Sequence, residues 1–213
     1  MTVNSATRIR LSPSFWRHDQ GLPFSEDVVP SSLFLRNRQY LVVDIETKNT
    51  FQDVGGYENI QKLEISVACA YDSESDKFTS YLEKDLPKLF ELCYRRLIIG
   101  YNIKGFDIPV MSAYGLDATR LDIFDLMYDL ETQTRQRFMK LESVASGTLG
   151  VGKSADGLQA VQWWKEGKID LITEYCLQDV KVTRDIFQYG RQNGHVKIAR
   201  SEGDPKQVPV QWN

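Results

Sequence analysis

Tyr40-Leu41-Val42-Val43-Asp44-Ile45-Glu46-Thr47 is the stretch whose reading decides the fold. Its first four residues form a short apolar run that reads as a strand buried on both faces. Asp44 stands at the end of that run, and Glu46 follows two residues later. In extended backbone, residues i and i+2 share a face, so both carboxylates project to one side and can converge on a single cation.

Downstream, Leu63 to Tyr71 and Lys77 to Leu82 alternate well enough for two further strands. The polar stretch Asp72-Ser73-Glu74-Ser75-Asp76 between them predicts an antiparallel hairpin. Asp85 to Arg96 reads as a helix, with Asp85 as N-cap, Pro87 in the first turn, and Leu86, Leu89, Phe90 and Cys93 on one face. Leu97 to Ile99 is a fourth strand, ended by Gly100. A helix starts near Asp107-Ile108-Pro109, with Gly115 near its end, and Leu121 to Leu126 supplies a fifth strand. Leu141 to Leu149 reads as a short helix before Gly150-Val151-Gly152, and a long helix runs from about Ile169 to Gln192. Three antiparallel strands followed by alternating helices and strands predict an α/β domain, with a mixed central sheet flanked by helices.

That domain is expected to occupy residues 39–194. Residues 1–38 read as an N-terminal extension interrupted by Pro13, Pro23 and Pro30, with Phe15, Trp16 and Phe24 available to pin it to the domain surface. Residues 195–213 form a polar C-terminal tail holding Pro205 and Pro209, expected to fray.

Of the 213 residues, 42% are apolar, enough for one domain with a substantial core. The net charge of −3 argues against a protein that coats long duplexes, because phosphate neutralisation drives such binding. A nucleic-acid substrate would instead be gripped locally, by metal ions at the scissile bond and by stacking on bases. Cys69, Cys93 and Cys176 lie far apart and read as buried, reduced thiols. With His18 and His195 as the only histidines, a zinc site of the usual Cys/His type cannot be assembled. No apolar run approaches the ~20 residues that span a bilayer, and the N-terminus shows no apolar leader segment. The chain is therefore expected to be cytoplasmic, with no membrane partner.

Two further acids join Asp44 and Glu46. Asp107 sits at a strand-to-helix junction, within Asn102-Ile103-Lys104-Gly105-Phe106-Asp107. Tyr175 and Asp179 are four apart on the long helix, so they stack on one face. Four carboxylates held together repel strongly unless divalent cations sit among them, and oxygen ligands of this kind suit Mg²⁺ or Mn²⁺.

Asp44-x-Glu46, Asn102-x-x-x-Phe106-Asp107 and Tyr175-x-x-x-Asp179, in that order, resemble the three exonuclease motifs of the DEDD superfamily, whose fold is ribonuclease H-like and which includes the proofreading domains of DNA polymerases. The resemblance runs from about Tyr40 to Asn193. Asp-x-Glu occurs three times in the chain, as does Tyr-x-x-x-Asp, whereas Asn-x-x-x-Phe-Asp occurs once and is the informative pattern. Context separates Asp44 from Asp72, in a hairpin turn, and from Asp129, in a polar stretch. Each acid also has an ordinary reading: Asp44 as a strand cap, Asp107 as a helix N-cap, Asp179 as a solvated face, Tyr175 as core.

The resemblance implies a metal-dependent 3′→5′ exonuclease acting on single-stranded DNA or RNA 3′ ends, DNA slightly favoured, through two divalent cations. Asp44, Glu46 and Asp179 would hold the metal that carries the attacking water, and Asp44 would bridge to the second with support from Asp107. Tyr175 would orient the nucleophile. The histidine variant of the family places His five residues before the last Asp, where this chain has Glu174, so the resemblance is to the tyrosine subgroup (DEDDy). Thr47, Asn102 and Phe106 match positions lining the substrate strand, with simple core packing as the alternative for Phe106. Lys104, Arg135, Arg137 and Lys153 are candidates for phosphate contacts. Trp163-Trp164 reads as core or partner-facing before it reads as a stacking platform. Two other functions stay open: a non-catalytic nucleic-acid- or protein-binding module of the same fold, and a structure-selective endonuclease. No polymerase or helicase domain is read in the chain, so proofreading in cis is not expected, and the N-terminal extension is the place where a protein partner acting in trans could dock.

Overall fold

The computed structural model describes residues 35, 38–137, 139–152 and 157–213. The expected N-terminal extension, with Phe15, Trp16 and Phe24, lies outside the described residues except for Leu35 and Arg38, and so does Lys153. Leu35 itself is buried in the core.

Strand β1 (Tyr40–Thr47) is the centre of a five-stranded sheet. It runs through Asp44 and Glu46 rather than stopping at Val43, so the two acids lie within the strand. Strand β2 (Ile65–Asp72) pairs with it antiparallel, and β3 (Lys77–Tyr81) pairs antiparallel with β2. Strands β4 (Leu97–Gly100) and β5 (Asp122–Asp125) continue the other side in parallel, giving the order β3-β2-β1-β4-β5. The mixed sheet expected from the sequence is the one observed.

Period-two alternation sorts β1 between two cores. Leu41, Val43 and Ile45 face one layer, which holds helices α1 (Leu86–Cys93) and α2 (Asp107–Ala113). Tyr40 and Val42 face the other, which is built on the long helix whose range follows from the sequence, Ile169–Asn193. Asp44 and Glu46 continue that second face, so the apolar stripe turns acidic where it meets the long helix. Between α2 and that helix lie α3 (Leu126–Thr134), α4 (Leu141–Leu149) and α5 (Gly157–Lys165), which makes the long helix α6. The sequence pattern predicts neither α3 nor α5. Asp85 precedes α1 as expected, but its side chain does not cap the helix; it holds the Nζ of Lys88 at 2.7 Å.

The C-terminal residues do not fray. β6 (His195–Ile198) and β7 (Lys206–Pro209) form an antiparallel hairpin, and Trp212 beyond it is fully buried. Its indole stacks on Phe187, meets Phe124 edge-on and donates to Asp129 Oδ2 at 2.8 Å. The buried aromatic area outweighs the polarity of the intervening loop. Among the described residues, no helix is long and apolar enough to cross a membrane. The three cysteines are free and buried, as the sequence suggests.

Candidate active site

The carboxylates of Asp44, Glu46 and Asp179 come together where the acidic end of β1 lies under α6. One oxygen from each lies within 4.8 Å of the other two. The helix is held against the strand at this level: the buried side of α6, Ile172, Cys176 and Val180, faces the sheet, and the Cys176 thiol donates to the backbone carbonyl of Asp44 at 3.4 Å. Tyr175 and Asp179 each precede a buried residue by one position, so they sit half-buried at the margin of the interface, beside the strand acids.

Asp107 approaches from the other side. The β1–β4 ladder ends at Val42 opposite Ile99, so the amide of Ile45 has no partner on β4. Asp107, at the start of α2 and almost wholly buried, accepts that amide with Oδ1 at 3.1 Å. It therefore braces β1 between the two strand acids and stands outside the close group of three. The sheet register also skips between Glu46 and Thr47, so Thr47 pairs with Ile65 and Ser66 is left over. Such an irregularity bends a strand locally, and here it does so at the rim of the acidic cluster. Thr47 is buried, with its hydroxyl donating to the Asn49 carbonyl at 2.8 Å.

Burial and mutual repulsion raise the acids of this group. Burial, followed by the charges of Asp107, Glu46 and Asp179, holds the Asp44 carboxyl well above its ordinary range. Glu46 is raised by burial and then by Asp179 and Asp107. Asp107 is raised by burial, with the Ile45 amide pulling the other way. Asp44 Oδ2 is buried and, among the described residues, has no hydrogen-bond partner. A buried carboxylate oxygen without a donor, inside a group of acids that repel each other, fits a divalent metal with oxygen ligands. Burial, followed by the charges of Asp179, Glu46 and Asp44, raises the Tyr175 phenol far above the ordinary tyrosine range.

The remaining expected residues fall around this centre. Asn102 takes a left-handed conformation with φ of 59°, and its amide donates to Asp125 Oδ1 at 3.0 Å. Phe106 packs partly into the α1–α2 core and meets Phe51 edge-on, which gives weight to its packing role. Lys104 lies with its Nζ 5.4 Å from the ring of Tyr128. Arg135 and Arg137 are exposed. Trp163 meets the Tyr175 ring edge-on at 6.2 Å, and Lys48 lies over Trp164 at 5.2 Å. The tryptophan pair thus packs beside the site, on the core side of its expected alternatives.

Asp125 borders the candidate site and is not singled out by the sequence pattern. It is buried, accepts the amides of Asn102 and Lys104 at 3.0 Å each, and caps α3 by accepting the Met127 and Tyr128 amides. One carboxylate therefore shapes the loop that carries Asn102 and Phe106. Its signal was present in the sequence: an acid that directly follows the apolar pair Ile123-Phe124, as Asp44 follows Val42-Val43.

A family model described as RNase_H superfamily matches residues 41–191. No curated protein matches the chain. Among solved structures, the chain is similar to the family B DNA polymerase from the hyperthermophilic archaeon Pyrobaculum calidifontis, at 17% identity and a TM-score of 0.55. That similarity covers 72% of this chain and 24% of the polymerase, so the chain corresponds to about a quarter of that protein's length.

Proposed function

The chain belongs to the RNase_H superfamily, and from that premise we propose that it is a metal-dependent 3′→5′ exonuclease of the tyrosine (DEDDy) type, acting on single-stranded nucleic-acid ends. The observation that carries this reading is the grouping of Asp44, Glu46 and Asp179 within 4.8 Å, with Tyr175 one helical turn before Asp179 and close enough to feel the charges of all three acids. DNA is placed ahead of RNA because the similar solved chain is a DNA polymerase.

Asp44, Glu46 and Asp179 would hold divalent cations, Mg²⁺ or Mn²⁺. When bound, such ions acidify the attacking water and stabilise the leaving oxygen of the phosphodiester. Tyr175 stays neutral at any physiological pH, so it acts as a hydrogen-bonding orienter and not as a general base. Asp107 keeps β1 in place and adds negative charge that favours cation binding. Thr47 at the end of β1, and Asn102 and Phe106 in the loop after β4, would line the path of the substrate strand.

The test is one gel with 5′-labelled single-stranded DNA and RNA, Mg²⁺ or Mn²⁺, and Asp179→Ala as control. Stepwise shortening from the 3′ end, lost in the control and in EDTA, is expected. Discrete internal cuts would make the protein an endonuclease, and a shifted but intact substrate would make it a binding module.

A further inference from the structure

We propose that Tyr57, backed by Phe51, is a stacking subsite for a base near the 3′ end of single-stranded nucleic acid; this rests on the reading of the acidic cluster as a nuclease site. The loop that follows Thr47 does not wander off the domain. It turns through Gly55 and Gly56, both with positive φ, into a short 3-10 turn (Tyr57–Lys62) that packs on α2. Tyr57 then reaches across and donates its hydroxyl to the Gly105 carbonyl at 2.6 Å, one residue before Phe106 and two before Asp107. The loop leaving the strand acids and the loop entering Asp107 are thereby clasped by one aromatic side chain.

The ring of Tyr57 lies 5.1 Å from that of Phe51, which in turn meets Phe106 at 5.9 Å. Phe51 and Phe106 are half-buried against the α1–α2 core, but Tyr57 is 49% exposed. Apolar ring surface is thus left in water although its polar end is already satisfied and its orientation already fixed. A surface rigid before binding loses little entropy when a flat partner covers it. The occupant is identified by position and by charge. Both clasped loops spring from segments carrying the acids, and a chain of net charge −3 lacks the basic surplus to hold a polyanion by Coulombic attraction alone. Stacking on π-faces is the remaining sequence-tolerant source of affinity for unpaired bases.

The proposal is tested by equilibrium binding of a short single-stranded DNA carrying 2-aminopurine in turn at each of its three terminal 3′ positions, in Ca²⁺. Wild type, Tyr57→Phe and Tyr57→Ala are compared, with thermal melts to show that each is folded. Quenching at one position is expected in wild type and in Tyr57→Phe, which keeps the ring. In Tyr57→Ala the quench is lost and binding weakens about tenfold, the worth of one stacked base. Equal binding and quenching by all three proteins overturns the subsite. So does a loss in Tyr57→Phe as large as in Tyr57→Ala, which would assign the residue to loop bracing through Gly105, and so does an absence of binding by wild type. The outcome is separable from that of the exonuclease reading: shortening of substrate without quenching sinks the subsite alone, and quenching without shortening sinks the exonuclease alone.

Discussion

The carboxylate of Asp107 accepts the backbone amide of Ile45 at 3.1 Å, linking two segments 62 residues apart at the point where the parallel ladder has run out. An acid in this position has a structural task as well as an electrostatic one, and the two separate on substitution. Asp107→Ala leaves the Ile45 amide buried without an acceptor, which costs about 1–3 kcal/mol. Asp107→Asn keeps an acceptor oxygen and removes a charge from the cluster. Chemical denaturation in EDTA should find the Ala variant less stable by that amount and the Asn variant at least as stable as wild type. Hydrolysis should be impaired in both. An Ala variant of unchanged stability would refute the bracing role.

The raised carboxyls of Asp44 and Glu46 set a pH dependence of stability. Their ordinary values are 3.8 and 4.5, and burial with mutual repulsion lifts both well above these in the folded chain. Between the ordinary and the raised values the folded state binds more protons than the unfolded state, so metal-free stability falls as pH rises through that window. In EDTA the melting temperature should therefore decline as pH rises above the ordinary carboxylate range. Mg²⁺ or Mn²⁺ binds the ionised form and should raise it more at the alkaline end. Asp44→Asn isolates the site's share. In EDTA at the alkaline end it should be more stable than wild type by ~0.5–2 kcal/mol, with a flatter pH profile and no hydrolysis. A wild-type profile no steeper than that of Asp44→Asn would count against a crowded, ionised cluster.

Tyr175 stands one helical turn before Asp179 on α6, and its ring meets Trp163 edge-on at 6.2 Å. If its phenol orients the nucleophile, Tyr175→Phe should lower kcat by about 10²-fold with little change in KM, the cost of a misplaced reactant. Trp163→Ala should give a smaller fall in kcat, roughly tenfold, through loosening of the Tyr175 ring, and Trp163→Phe should recover most of it. Steady-state kinetics on one single-stranded oligonucleotide reads all three. A change confined to KM would reassign both residues to substrate binding.

The elements that the sequence disclosed are those with a single dominant period. β1, the hairpin of β2 and β3, and α6 each show an uninterrupted pattern, and the order of strands follows from them. Asp44 and Glu46 were legible because an apolar strand stripe turns acidic, and Tyr175 and Asp179 because helical spacing puts them on one face. Asp125 was passed over because an acid closing a strand, read alone, looks like an ordinary cap; only the fold shows it accepting amides from Asn102 and Lys104 as well. α5 was missed because its apolar positions are few and Trp163-Trp164 are adjacent, giving a weak helical stripe. The C-terminal hairpin was hidden for a different reason. Residues 199–205 are polar, and the one that anchors the segment, Trp212, stands beyond Pro209, where local pattern predicts fraying.

That anchor is also testable. Trp212 is completely buried, stacks on Phe187 at 6.0 Å, and lies so close to α6 that a Cβ on Gly190 would come within 2.2 Å of its ring. The absence of a side chain at position 190 is what lets the indole lie flat on the helix. Trp212→Ala should cost about 3–5 kcal/mol, in the range for emptying an aromatic core site. Gly190→Ala should cost about 1–3 kcal/mol by overpacking against the indole. The two losses should not add: in the double variant the new methyl enters the space that the indole vacated. Its stability should therefore be no worse than that of Trp212→Ala, and a double-mutant cycle by chemical denaturation measures the coupling. Additive losses, or a Trp212→Ala variant as stable as wild type, would return the last residues to the status of a loose tail.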